Sequence, residues 1–279
     1  MHKDLRINFP PKFARRWTEE NGGAAHILAI LEAQRAPQAA FIERMAGFTT
    51  AFLSVPWDTP DPTAPRWKQN WFPSLDGMSS YTVVAANQPR RLIEIGSGNS
   101  TKFFAKARNE HSPATTITSI DPQPREEIDA ICETIHRCGL EDVDLGIFDE
   151  LVPGDVLFFD GSHRSFQNSD VTVFFLEVLP RLAEGVIVGL HDIFWPVDYP
   201  QDWLDRYYNE QYLLACYMLP YGKHFPLIFS SAHATRHMRD KLNEAFSPET
   251  RAALPALRGG CFWFEKRSIS APPAQITEA

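Results

Sequence analysis

From about residue 78 onward, short apolar runs alternate with longer amphipathic stretches, the pattern of strand and helix units that build a parallel sheet. "LIEI" (92–95), "TTITSI" (115–120), "VDLGIF" (143–148), "DVLFFD" (155–160) and "GVIVGLHD" (185–192) read as five strands. "FPLIFSSA" (225–232) and "GCFWFEKR" (260–267) add two more. Helices are expected at "STKFFAKARNE" (100–110), "DVTVFFLEVLPRL" (170–182), "QDWLDRYYNEQYLLACYML" (201–219) and "ATRHMRDKLNEAF" (234–246). Between the second and third strands, Ile128, Ile131, Ile135 and Cys138 recur at helical spacing, and Gly139 would close that helix.

Residues 1–75 have a different texture. "GGAAHILAILEAQRA" (22–36) and "PQAAFIERMAGFTTAFL" (37–53) predict two helices, and the proline-dense "SVPWDTPDPTAPRW" (54–67) predicts an irregular connector. The expected organisation is an N-terminal helical cap and connector (1–75), a Rossmann-like domain (76–267) and a disordered Ala/Pro-rich tail (268–279). Its fold class is α/β, a doubly wound, mostly parallel seven-stranded sheet with an N-terminal helical extension.

Composition narrows the function. A net charge of -8 removes any global attraction to phosphate backbones, and the short basic runs at 15–17 and 89–91 have no aromatic interleaving, so nucleic acid is not an expected partner. No apolar run reaches the length of a membrane span or signal peptide. Four cysteines without paired spacing are too few for a disulfide framework in a chain this long, which fits a reducing cytoplasm. Whether the chain self-associates is left open by the sequence.

In a doubly wound sheet, ligands sit beyond the carboxyl ends of the strands, so the residues that follow each strand carry the chemistry. After the first strand comes "GSGNS": Gly96 and Gly98 withdraw side chains where backbone approaches a ligand, and Ser97, Asn99 and Ser100 lead into a helix start. A tight corner with no ligand would use the same glycines. Asp121 closes the second strand, where a carboxylate can accept both hydroxyls of a ribose. Thr101 stands where the nicotinamide fingerprint needs a third glycine, and Glu94 suits an ammonium group better than a pyrophosphate. At the far edge Asp160, His163, His191 and Asp192 converge from two neighbouring strands, and such a group suits either a hard cation or a general base.

Taken in order, "LIEIGSGNST", "ITSIDP", "VLFFDGSHRS" and "GVIVGLHDI" resemble the class I S-adenosylmethionine-dependent methyltransferases, in the branch with D-G-x-H and H-D segments after strands four and five. The resemblance covers roughly residues 70–265; Ser100 replaces the third glycine common in the family's first motif. It implies a small-molecule methyltransferase, most simply an O-methyltransferase. Glu94, Gly96, Ser97, Gly98, Asn99 and Ser100 would hold the methionine end of S-adenosylmethionine, Asp121 the ribose, and Phe148, Asp149 and Glu150 the adenine edge. Asp160 would close the pocket near the methyl group. The acceptor hydroxyl would be activated in one of two ways: a divalent metal such as magnesium on Asp160, His191 and Asp192, or His163 or His191 as a base with Asp160 beside it. The aromatic stretches "WKQNWF" (67–72) and "IFWPVDYPQDW" (193–203) are expected to supply a lid or acceptor wall, with at least half of their rings in the core. A nicotinamide-dependent oxidoreductase, and a non-catalytic or hydroxylase-like relative of the same fold, are the competing readings.

Overall fold

The computed structural model describes residues 14–268; the expected tail from 269 onward and the first 13 residues lie outside the described residues. Seven strands form one sheet in the order β3-β2-β1-β4-β5-β7-β6. They are β1 (Arg91–Ile95), β2 (Thr116–Ile120), β3 (Thr134–His136), β4 (Val156–Phe159), β5 (Ile187–Leu190), β6 (Leu227–Ser230) and β7 (Phe262–Glu265). β1 to β5 run parallel, and β7 is inserted antiparallel between β5 and β6. Strand order reverses between β1 and β4, which makes the carboxyl end of that pair the natural ligand crevice.

Period-two alternation builds the two cores. Along β4, Leu157 and Phe159 enter one apolar cluster, and Val156 and Phe158 enter the other, on the opposite face. The buried strands are therefore apolar on both faces, as a covered parallel sheet requires. On β1, Glu94 lies on the same face as Leu92, under the helix that follows.

The helices are α1 (Ala25–Ala33), α2 (Arg35–Ala46), α3 (Thr49–Leu53), α4 (Ser74–Asn87), α5 (Asn99–His111), α6 (Asp170–Val173), α7 (Leu179–Arg181), α8 (Glu210–Met218), α9 (Ser231–His237), α10 (Arg239–Ala245) and α11 (Pro248–Ala253). α6 and α7 are joined by a π-helical turn, Phe174–Val178, so the helix expected at 170–182 is continuous but underwound in the middle. α2 lies along the edge strand β6, with the Phe41 and Phe229 rings stacked at 5.0 Å. This covers an edge that would otherwise present unpaired backbone. The N-terminal segment also docks by polar contacts, since Asp198 accepts from the backbone N–H groups of Arg16 and Trp17 at 2.6 and 2.9 Å.

Three expectations fail for local reasons. The helix at 128–138 does not form: that stretch holds a single 3-10 turn and then β3, whose residues Thr134 to His136 pair with Thr118 to Ile120. "VDLGIF" is not a strand, because the Asp144 side chain accepts from Gly146 N–H and starts a 3-10 helix, Leu145–Glu150. The long helix at 201–219 is broken at Tyr207, whose φ of 59° lies in the left-handed region, leaving a 3-10 segment and α8.

Candidate functional site

The donor side is built from the loop between β1 and α5. Gly96 has φ of 78°, and a Cβ on it would overlap the carbonyl oxygen of Asp160. That glycine is required by the neighbouring strand end. Gly98 is different: its backbone is extended and nothing lies near the position of a Cβ. Only Gly98, then, keeps open space where a ligand can come close.

Glu94 does not face that space. It is fully buried, and the hydroxyls of Ser100 and Thr101 donate to its two oxygens at 2.5 Å each, tying the strand end to the first turn of α5. Burial, reinforced by the charges of Asp160 and Asp121, pushes its carboxyl up to about 8. Thr101 in turn accepts from the Gly98 N–H at 2.9 Å. Glu94 therefore shapes the loop, and the expected direct contact to an ammonium group is corrected. The side chain in contact range is Asn99, whose buried Oδ1 has no hydrogen-bond partner and borders a crevice shared with Ser97, Gly98 and Asp160. An orphaned acceptor of this kind is what an ammonium ligand would satisfy.

Asp121 is held as an acceptor. Its Oδ2 accepts from Ser97 N–H at 2.8 Å and its Oδ1 from Gln123 N–H at 2.7 Å, leaving lone pairs on both oxygens toward a cavity of about 420 Å3. Ser97, Asp160, His163 and Gly139 to Glu141 share that cavity. Phe148, Asp149 and Glu150 do not line it. Phe148 is buried in the core, Asp149 faces Arg181 at 3.6 Å, and Glu150 pairs with Arg91. Because β3 lies at 134–136, the residues beyond its end are Gly139, Leu140 and Glu141, and these line the cavity that 148–150 do not reach. A shorter third strand, read from Thr134 to His136, would have been the signal.

The acceptor side gathers around two histidines. His191 follows β5 with a solvent exposure of 2%, its Nδ1 3.2 Å from Asp160 and its Nε2 3.2 Å from Asp76. Burial disfavours the charged ring, yet Asp160, Asp192 and Asp76 outweigh it and hold the imidazole well above its ordinary value. With both nitrogens engaged by carboxylates, His191 is a buried imidazolium that positions Asp160. Neither nitrogen is left free for the expected role of base, and as a metal-capable side chain His191 groups with Asp76 and Cys261 rather than with Asp160 and Asp192. Asp76, which the sequence reading missed, also accepts from the N–H groups of Gly260 and Cys261 at 2.8 and 2.7 Å.

His163 sits in the loop after β4 with φ of 62°, and Asp192 has φ of 56°. Each left-handed residue costs about 1–3 kcal/mol, which places strain at two members of this acidic and imidazole cluster. His163 Nδ1 meets Glu210 at 2.5 Å, and its Nε2 lies 3.4 Å from Asp160 and 3.5 Å from Asp192. Burial pulls this imidazole down, but Glu210 and then Asp192 and Asp160 push it up to about 9. Glu210 itself is raised to about 7 by burial, offset in part by His163. Asp192 is raised by burial, with the two imidazoles pulling back, whereas in Asp160 the pull of His191 and His163 outweighs burial and lowers the carboxyl.

Two groups have ligand atoms within 4.8 Å of one another: Asp160, His163 and Asp192, in which His163 stands where His191 was expected, and the fully buried Asp76, His191 and Cys261. Asp160 and His163 line the 420 Å3 cavity, and Asp192 lines a larger one of about 720 Å3. The cluster is thus the wall between two cavities. Of the aromatic stretches, Trp71, Phe194 and Trp203 line the larger cavity, while Trp67, Phe72 and Trp195 are buried. Arg125, beside the donor cavity, lies over the Trp71 ring at 4.4 Å, which joins the connector to the donor loop.

Residues 93–193 match the model of a family described as a methyltransferase domain. No curated protein matches the chain. Among solved structures it is similar to an O-methyltransferase from Bacillus cereus in complex with SAH (18% identity, 56% of this chain and 67% of that one, TM-score 0.33). It is similar also to the O-methyltransferase TomG from Streptomyces achromogenes in complex with SAM (18%, 63% and 78%, TM-score 0.36). A third likeness is to the SAH-bound Podospora anserina methyltransferase PaMTH1 (14%, 78% and 88%, TM-score 0.36).

Proposed function

We propose that this chain, through its methyltransferase domain, moves the methyl group of S-adenosylmethionine to a hydroxyl of a small molecule. The observation that carries the reading is the shared wall: Asp160 and His163 face one cavity, and Asp192, 3.5 Å from His163 Nε2, faces the other. In-line transfer needs two compartments that meet at one point, because the acceptor must stand behind the methyl carbon with water excluded.

The donor cavity and the crevice beside it, which share Ser97 and Asp160, fit the cofactor in three places. Asp121 offers free lone pairs for ribose hydroxyls, Asn99 offers an unpaired buried acceptor for the ammonium group, and Gly98 leaves room for close approach. Asp160 then faces the sulfonium, and its lowered carboxyl keeps a negative charge there. S-adenosylmethionine supplies an already activated methyl group, so the chain has to align, exclude water and take up one proton.

Asp192 is the group placed to take that proton, since it lines the acceptor cavity and burial makes its carboxyl more basic than usual. His163, charged and backed by Glu210, holds the new charge balance. The same three side chains suit a divalent cation, with two carboxylate oxygens and one imidazole nitrogen as donors. A cation there would bind the acceptor oxygen and lower its pKa.

The excess of acidic residues supports a small acceptor over nucleic acid, and no helix among the described residues is long and apolar enough to cross a membrane. The sparse, unpaired cysteines support a cytoplasmic setting. The test is thermal unfolding with S-adenosylhomocysteine. Saturating ligand raises the Tm of the native chain and not that of Asp121→Ala; no shift in the native chain would sink the proposal.

A further inference from the structure

The larger cavity carries a charge pattern that the methyl-transfer reading leaves unused. Three arginines reach it: Arg236, Arg239 and Arg258. Arg236 is neutralised by Glu19 at 3.0 Å. Among the described residues, Arg258 has no carboxylate partner and the guanidinium of Arg239 donates only to the backbone oxygen of Thr235, at 3.2 Å. Asp192, the acid at the inner end, is already faced by two imidazoles. Two uncompensated positive charges therefore border a cavity whose remaining walls are mainly aromatic and proline side chains, among them Trp71, Phe194 and Trp203.

The backbone of Arg258 is also fixed in place. Its backbone N–H donates to Ser74 Oγ at 3.4 Å, and its carbonyl accepts from Leu75 N–H at 3.0 Å, so it is fastened to the start of α4. The same turn carries Asp76, which holds His191. Two residues on, Gly260 packs against the backbone of Asp192. The guanidinium thus emerges from backbone anchored to the residues that organise the catalytic cluster. A planar five-donor fork so placed matches a carboxylate in two-point geometry. The aromatic walls match a flat, apolar body.

We propose that the acceptor is a flat hydroxylated carboxylic acid, its carboxylate held by Arg258 with Arg239 as the second charge, and its hydroxyl directed to Asp192. This rests on the methyl-transfer reading of the same site. A phosphate ester is disfavoured because the dianion would want further N–H donors, and a neutral phenol would leave both guanidinium groups uncompensated beside it.

The test is calorimetric titration of the full chain, with and without S-adenosylhomocysteine. The probes are hydroxybenzoates and hydroxycinnamates, each matched against its uncharged amide. The acids should bind at least ten-fold more tightly than the amides, and the preference should vanish in Arg258→Gln with Arg239→Gln and recover partly in Arg258→Lys. Both arginines are exposed, so the Tm of these variants should stay at the native value. Equal binding of acids and amides, no binding by any acid, or a preference that survives the double substitution would overturn the inference. Product formation from S-adenosylmethionine is scored separately. Methylated amides with no preference for acids would sink this inference and leave the donor reading standing; arginine-dependent binding without any product would do the reverse.

Discussion

Asp76, in the first turn of α4, and His191, at the end of β5, meet at 3.2 Å across 115 residues of chain. The pair lies behind the site, and Asp76 also accepts the N–H groups of Gly260 and Cys261 just before β7. One carboxylate thereby fixes a helix start, a strand start and a catalytic-side imidazole. Asp76→Ala leaves a buried imidazolium with half its partners and two N–H groups unpaired, a loss of roughly 3–5 kcal/mol for a buried ion pair broken on one side. The expected result is a clearly lower Tm, with Asp76→Asn intermediate because its amide oxygen still accepts. A Tm for the alanine variant equal to that of the native chain would show that the pair contributes nothing.

The two glycines of the donor loop should respond in opposite ways. Gly96→Ala needs a left-handed alanine and drives a methyl group into the Asp160 carbonyl, so it should cost stability before it costs binding. Gly98→Ala meets nothing in the free protein and should leave stability within about 0.5 kcal/mol of the native value. It should nevertheless abolish most of the stabilisation by S-adenosylhomocysteine, since the methyl group occupies the ligand's space. Calorimetric melts of both variants, with and without ligand, separate the roles; a full ligand shift in Gly98→Ala would remove that glycine from the site.

These contrasts show what the sequence could and could not convey. The strand-end motifs were legible because residue type and position coincide there: Asp121, Asp160, His163 and Asp192 stand where a doubly wound sheet places its ligands. What the side chains face was not legible. Glu94 reads as a ligand, but alternation along β1 turns it under α5, where Ser100 and Thr101 consume it. His191 reads as a base, but a second carboxylate from a distant helix holds its other nitrogen. The region 128–150 misled for a different reason. Its isoleucine spacing satisfies a helix, while the short β3 and the Asp144 turn depend on pairing with β2 and on one local side-chain hydrogen bond.

Asp192 and His163 should separate chemistry from binding. Asp192→Asn removes the proposed proton acceptor at the large cavity, and general-base removal commonly costs 10²–10⁴-fold in rate. The stabilisation by S-adenosylhomocysteine should survive, because the donor cavity is untouched. If a cation takes part, manganese binding followed by electron paramagnetic resonance should be lost in Asp192→Asn and in His163→Gln but kept in His191→Gln. Loss in the His191 variant with retention in the His163 variant would restore the ligand set read from the sequence.

Glu94 offers a test by pH. Its carboxyl is pushed up to about 8 in the folded chain from an ordinary 4.5, chiefly by burial. Between those values the folded chain keeps a proton that the unfolded chain has released. Stability from this group therefore falls as pH rises from about 4.5 and levels off above about 8. Glutamine at this position keeps the shape and one acceptor for the Ser100 and Thr101 hydroxyls but has no proton to lose. Relative to the native chain, Glu94→Gln should gain stability steadily from pH 5 to pH 8 and hold its advantage beyond. Urea unfolding of both chains at matched pH isolates the effect, because all other titrating groups are common to the two and cancel in the difference. A difference that is flat across this range would mean that Glu94 ionises normally, with a counter-charge or solvent reaching it beneath α5.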